Sequence, residues 1–164
     1  MTTETPTTSL SQALPVDAIA LDVSAEDWRA AVTAAGEALA ASGAATRDYT
    51  AEMIAAVEEY GPYIVIAPGI ALAHSRPSPA VRRVGLSWVR LAEPVAFGDP
   101  DNDPVSLVVG LCSPDATSHT AALAQVASLL SDEERMAQLA AAGTPEEVRA
   151  IVLAFERDHT RSQS

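Results

Sequence analysis

Lysine is absent from this 164-residue chain, so every one of its ten cationic side chains is an arginine. That excludes Schiff-base and other lysine-amine chemistry by the chain itself. Cysteine occurs once, at Cys112, which rules out an intramolecular disulfide framework and a cysteine-rich zinc cluster. A chain of this kind suits a reducing compartment, and a cytoplasmic location is expected. Aromatic residues are scarce, 4% against 48% hydrophobic overall, so the core should be aliphatic and rich in alanine. No apolar run approaches the roughly 20 residues that cross a bilayer. The stretch from Met1 to Ser11 is threonine-rich and acidic, unlike a signal peptide. Direct membrane insertion is therefore not expected, and any membrane role would come through a partner. Positive charge is short as well: 22 acidic residues leave a net charge of -12. A surface that acidic repels phosphate backbones and anionic lipid, so no nucleic acid partner is expected.

The length suits one domain with its own core. Residues 1–14 lack periodicity and read as a disordered leader, residues 15–156 as the folded domain, and residues 157–164 as a polar tail. Val16 to Val23 reads as a first strand. Ser24 is the expected N-cap of a helix that buries Trp28, Ala31, Val32, Ala35 and Leu39 and stops at Ser42-Gly43. A second helix is expected from Asp48 to Tyr60, with Tyr49, Met53, Ala56, Val57 and Tyr60 on one face and Gly61-Pro62 as its stop. Tyr63 to His74 supplies two short extended pieces around a Pro68-Gly69 turn. Val81 to Leu91 is a strand carrying Trp88, and Phe97 to Pro104 is loop. Val105 to Cys112 is almost continuously apolar, as a central buried strand would be. Ser113 to Ser118 leads into a helix carrying Leu123, Val126 and Leu130. Ser131 is expected to cap the next, and Thr144-Pro145-Glu146-Glu147 opens a last one, with proline where its missing N–H costs nothing. No internal repeat or linker interrupts the pattern. Strands interleaved with helices indicate a single α/β domain.

Chemistry is expected where the strand from Ile70 ends on His74, with Arg76 two residues behind. His119 lies in Cys-Ser-Pro-Asp-Ala-Thr-Ser-His, just after the most apolar strand and at the mouth of a helix. Placed on neighbouring strand ends, the two imidazoles can face each other. One imidazole is a nucleophile near neutral pH; the other, an arginine and a helix N-terminus stabilise anionic charge. These are the parts of a phosphohistidine site. The bland alternative is two loop histidines without a task. A metal-dependent hydrolase lacks a third ligand at suitable spacing. Cys112 reads as structural. Asp99, Asp101 and Asp103 alternate as a calcium loop does, but Pro100 and Pro104 favour turn chemistry. Asp115 either caps the helix or orients His119. Arg82 and Arg83 either line a docking face or are solvated, and His159 lies in the tail without an assigned role.

The segment Gly-Pro-Tyr-Ile-Val-Ile-Ala-Pro-Gly-Ile-Ala-Leu-Ala-His-Ser-Arg-Pro, from Gly61 to Pro77, resembles the phosphorylation-site signature of enzyme IIA components of the phosphoenolpyruvate-dependent sugar phosphotransferase system. The likeness is to the mannitol/fructose-type superfamily, in particular its ascorbate-specific branch. Ala25 to Ala31 with Ala34-Ala35-Gly36, Arg47-Asp48-Tyr49 to Met53, Phe97-Gly98, Asn102 to Val105 and Ser118-His119 follow in the same order. The resemblance implies a mixed β-sheet with helices on both sides. It implies that His74 accepts a phosphoryl group from the phosphocarrier HPr and passes it to a cysteine of enzyme IIB. Enzyme IIB phosphorylates the sugar as the membrane permease, enzyme IIC, moves it inward. His119 would be the phosphoryl-stabilising partner, assisted by Arg76 and Ser118, with Ser118 or Asp115 orienting its ring. No metal or organic cofactor is implied, and since superfamily members can self-associate a homodimer is compatible. The alternative is a regulatory protein of the nitrogen-related type, whose phosphorylation state controls partner binding. Two departures stand out: Ala73 precedes the histidine where many fructose-type relatives have proline. Glu58 and Glu59 stand on the helix where the mannitol and fructose branches place an arginine.

Overall fold

The computed structural model describes residues 9–161, apart from the side chains of 159–161. Residues 1–8 of the expected leader, residues 162–164 of the tail and the side chain of His159 lie outside the described residues. A mixed five-stranded sheet has the order β1-β4-β5-β3-β2. Its strands are β1 (Ile19–Val23), β2 (Val65–Ala67), β3 (Ile70–His74), β4 (Gly85–Val95) and β5 (Val105–Cys112). The helices are α1 (Leu10–Ala13), α2 (Trp28–Ala41), α3 (Arg47–Tyr60), α4 (Ala116–Leu130), α5 (Glu133–Ala141) and α6 (Pro145–Arg161).

The apolar run Val105–Cys112 is the middle strand, with β4 antiparallel on one side and β3 parallel on the other. A strand buried on both faces has no polar side to show, which is why its sequence hardly alternates. Along β3 the period of two divides the side chains. Ala71 and Ala73 enter the core under α2 and α3, formed with Val32, Leu39, Tyr49 and Met53. Leu72 enters the opposite core, with Leu14 from just after α1 and Val126, Leu139, Val152 and Phe155 from α4, α5 and α6. Helices therefore cover both sheet faces, as the resemblance implied.

Several local expectations shift. Residues 10–14 are not disordered: Ser9 caps α1 in a capping box with Gln12, and Leu10, Ala13 and Leu14 are buried. The hydroxyl and N–H of Ser11 both donate to Glu156 of α6, at 2.7 and 2.6 Å. Four residues are too few for a helical period to register, so only the docking surface reveals this element. Val16 to Ala18 form a 3-10 turn before β1, which is shorter than expected. α2 is capped by Asp27, which accepts from the Ala30 N–H at 2.9 Å, rather than by Ser24. Trp28 is half-buried, with the Arg29 guanidinium 4.5 Å from its ring centre, whereas Trp88 is a core residue as expected. α5 is capped by Asp132 and not by Ser131. It ends before Gly143, where Arg90 donates to the carbonyls of Leu139, Ala140 and Ala142.

β4 starts at Gly85, four residues later than the sequence suggests, because residues 81–84 first cross the α2–α3 connection. There the N–H groups of Arg82 and Arg83 donate to Ala44. A Cβ at Gly85 would lie 2.3 Å from that of Ala44, so the crossing needs glycine. α6 opens on the Thr144 cap as expected, the Glu147 N–H donating to its hydroxyl at 3.1 Å. It continues to Arg161, so residues 157–161 are helix rather than tail, and Arg135 of α5 pairs with Asp158.

Candidate functional site

β3 ends on His74, where the parallel pairing with β5 also ends, at His74 opposite Leu111. His74 shares the parity of Leu72, the side of the sheet that α4 covers. β5 leads through Ser113 to Asp115 straight into α4, so the first turn of that helix arrives at the same end of the sheet. His119 sits on that turn. The two imidazole centroids are 5.8 Å apart, inclined at 43°. Residues remote in sequence are thus brought together by the β3–β5 pairing.

The ring of His74 is held in one orientation. Its Nδ1 lies 2.7 Å from the carbonyl oxygen of Leu72. A carbonyl only accepts, so Nδ1 carries the hydrogen, and the lone pair of the neutral ring is on Nε2. Tyr63 packs edge-on against the ring at 5.5 Å, and its hydroxyl donates to the His74 carbonyl at 3.1 Å.

His119 is fixed differently. Neither Ser118 nor Asp115 orients its ring, contrary to expectation. Asp115 is the N-cap of α4, accepting from the Ser118 N–H at 2.8 Å and the Ser118 hydroxyl at 3.2 Å. Those two bonds hold the Asp115 carboxyl below the usual carboxylate range. The Ser118 hydroxyl is thereby used at the helix start and does not line the depression around His74. Nδ1 of His119 is buried without a hydrogen-bond partner. Orphaned buried N–H groups are rare, which favours a bare Nδ1 and a hydrogen on Nε2. Burial, followed by the nearby His74, also lowers the pKa of His119 below its ordinary 6.5, favouring the neutral ring.

Both histidines open into a depression of about 650 Å³, walled by Tyr63, Arg76 and one face of α3. Arg76 is exposed at its rim and, among the described residues, enters no ion pair. Glu52 and Glu59 stand on the α3 wall, and Glu52 accepts from the Ser78 hydroxyl at 2.9 Å. A nucleophilic nitrogen, a facing N–H donor and a free guanidinium in an open depression suit the capture of a small tetrahedral anion delivered by a macromolecule. Among the described residues, no three His, Cys, Asp or Glu side chains gather as metal ligands would.

Other candidates lie elsewhere. Cys112 is fully buried, and burial pushes its thiol up to about 12. Arg83 donates to the Ser42 carbonyl at the end of α2, away from the depression. Asp103 accepts from the N–H groups of Phe97, Gly98 and Asp99, closing the acidic loop as a turn. Sequence reasoning overlooked Tyr63 and the α3 wall. The wall had a signal, since positions 52, 55, 56 and 59 recur on one helical face. Tyr60, expected on one helix face with Tyr49, Met53 and Val57, is 62% exposed beside that wall, while those three are buried.

Residues 12–154 match the family model of the phosphoenolpyruvate-dependent sugar phosphotransferase system, EIIA 2. The chain is 36% identical over 135 residues to the ascorbate-specific PTS system EIIA component of Escherichia coli K12, covering 82% of this chain and 88% of that protein. Its fold matches the mannitol-specific cryptic phosphotransferase enzyme IIA CmtB of Escherichia coli with a TM-score of 0.78 at 31% identity, over 87% of this chain and 97% of that one. The nitrogen regulatory protein IIA-Ntr of Neisseria meningitidis matches with a TM-score of 0.74 at 28% identity, over 87% and 97% of the two chains.

Proposed function

The chain belongs to the phosphoenolpyruvate-dependent sugar phosphotransferase system EIIA 2 family, whose members transfer phosphoryl groups between proteins, and on that premise we propose that it is a phosphohistidine carrier phosphorylated on His74. The observation that carries this reading is the Nδ1 hydrogen bond of His74 to Leu72, which leaves the Nε2 lone pair free while His119 faces the ring.

In the first half-reaction, the Nε2 lone pair attacks the phosphorus of a phosphohistidine on HPr. The donor P–N bond breaks, and its electron pair stays on the donor nitrogen. In the second, a cysteine thiolate of enzyme IIB attacks the phosphorus, and the pair of the His74 P–N bond returns to Nε2. In both, negative charge spreads over the equatorial phosphoryl oxygens. The Nε2–H of neutral His119 and the guanidinium of Arg76 stabilise that charge. Ser118 acts at one remove, by closing the first turn of α4 on Asp115. The chemistry needs no metal or organic cofactor. The protein works in the cytoplasm and serves the membrane permease, enzyme IIC, indirectly. L-Ascorbate is the favoured cargo, on the likeness to the ascorbate-specific component. Self-association as a homodimer is compatible with this role.

Incubation with phosphorylated HPr should label the wild-type chain on His74, and His74→Ala should take up no label. Labelling that persists in the variant rejects the assignment. A second reading, favoured by the likeness to the nitrogen regulatory protein, is a switch whose phosphorylation state controls partner binding. Discharge of the label by a cognate enzyme IIB supports the transport role. A label stable to enzyme IIB that alters the binding of another protein supports the switch.

A further inference from the structure

Tyr49 lies at the start of α3 and is 1% exposed, yet its hydroxyl ends in the sheet. The β3–β5 pairing follows a fixed rhythm. Leu107 N–H donates to the Gly69 carbonyl at 3.1 Å, and the register runs unshifted to His74 opposite Leu111. In a parallel ladder with that phase, the next rung beyond His74 joins the Ser75 N–H to the Leu111 carbonyl. That direct bond is replaced. The Ser75 N–H donates to the Tyr49 hydroxyl at 2.8 Å, and the hydroxyl donates onward to Leu111 at 2.8 Å. A longer contact of 3.2 Å reaches the Ser75 carbonyl. One oxygen stands between the strands, so the groups it joins lie farther apart than a direct bond of about 2.9 Å would hold them.

We infer that Tyr49 is a positioning residue whose hydroxyl forms the last rung of the β3–β5 ladder, parting the strands immediately after His74 and fixing the gap between His74 and His119. The inference rests on the reading of His74 as the phosphoryl acceptor. Ser75 adjoins His74 on one side and Arg76 on the other. Leu111 stands near the end of the strand that delivers α4 and His119. One hydroxyl therefore references all three groups to the same point. Burial raises the pKa of the phenol well above its ordinary value, so it remains a donor at working pH. Phenylalanine at this position keeps the ring in the core and removes only the rung.

The test compares the full-length wild type with Tyr49→Phe, using potassium phosphoramidate as the phosphoryl donor. It is run at a temperature where circular dichroism shows both proteins fully folded. Expected in the variant are a phosphorylation rate at His74 about tenfold lower per folded molecule, faster hydrogen exchange at the Ser75 amide, and shifted His74 ring ¹⁵N resonances. A purely structural role lowers the melting temperature and leaves the rate per folded molecule unchanged, and that outcome overturns the inference. If the variant does not fold, the wild type decides. A slowly exchanging Tyr49 hydroxyl proton with a nuclear Overhauser effect to the Ser75 N–H supports the rung, and its absence overturns it. Failure of the wild type to become phosphorylated on His74 overturns the functional reading instead, distinguishably, because the hydroxyl and amide signals still report the rung.

Discussion

His74 and His119 share a side-chain type but are held in opposite ways. His74 has its Nδ1 committed to a carbonyl and its Nε2 free; His119 has a buried, bare Nδ1. One ring is thereby suited to attack phosphorus and the other to donate a hydrogen bond to it. Replacing His119 with glutamine should leave His74 able to accept label. Onward transfer to a thiol should slow by about 10²-fold, the usual effect of losing one donor to a charge-developing oxygen. An onward rate equal to wild type in a stopped-flow transfer assay contradicts the role. His119 also sets a pH dependence of stability. Its folded pKa lies below the ordinary 6.5 because of burial and then His74, so in the intervening window the unfolded chain binds more protons. The stabilising contribution is present above 6.5 and is lost as pH falls through the folded value. Melting temperature in the wild type should therefore drop more steeply than in His119→Gln as pH falls from 6.5 to the folded value. Parallel curves would show that His119 has no such linkage. Both histidines were legible as candidates from their places at a strand end and a helix mouth. The tautomers were not, because they depend on the Leu72 carbonyl and on an unpartnered buried nitrogen.

At the level of elements, the sheet carries the site and glycine sets how closely helices approach it. β5 contains Gly110, which faces α2. A Cβ there would lie 2.2 Å from the Ser87 hydroxyl oxygen, a group that already donates to the Ala35 carbonyl at 2.9 Å. Gly110→Ala should drive the Ser87 hydroxyl off the Ala35 carbonyl and cost about 1–3 kcal/mol, through overpacking and the buried carbonyl left without its donor. Urea unfolding measures it, and a midpoint unchanged from wild type would show that the seam has room. Most helices and strands were readable from apolar spacing because amphipathic faces must match a core. Cap residues were read less well. Ser24 and Ser131 have the right chemistry, but Asp27 and Asp132 stand where the helical backbone begins. That starting point is set by how the preceding segment leaves its neighbour, not by local propensity.

Over the whole molecule, two cores back one sheet, and the second is completed from the N-terminal side. Leu14 is 2% exposed within it, beside residues of α4 and α6. Leu14→Ala should cost about 2–5 kcal/mol, the range for truncating a buried leucine. Thermal and urea unfolding both report it, and a change under about 0.5 kcal/mol, the usual range for surface sites, would mean the segment is peripheral. The segment was unreadable in isolation because its burial depends on distant elements, on α6 through Ser11 with Glu156 and on α4, α6 and β4 through apolar contact.

The sequence by itself determined the α/β architecture, the central position of Val105–Cys112 and the two histidines as the chemical candidates. Those features follow from hydrophobic periodicity and from side-chain chemistry, which are local properties. The tertiary structure alone decided that the two imidazoles stand 5.8 Å apart and that Tyr63 and Arg76 border one depression with them. It alone placed a tyrosine hydroxyl in the ladder beyond His74. The physical reason is strand pairing. The β3–β5 register converts a long sequence separation into adjacency, and a register is chosen by the cores on both faces together rather than by either strand.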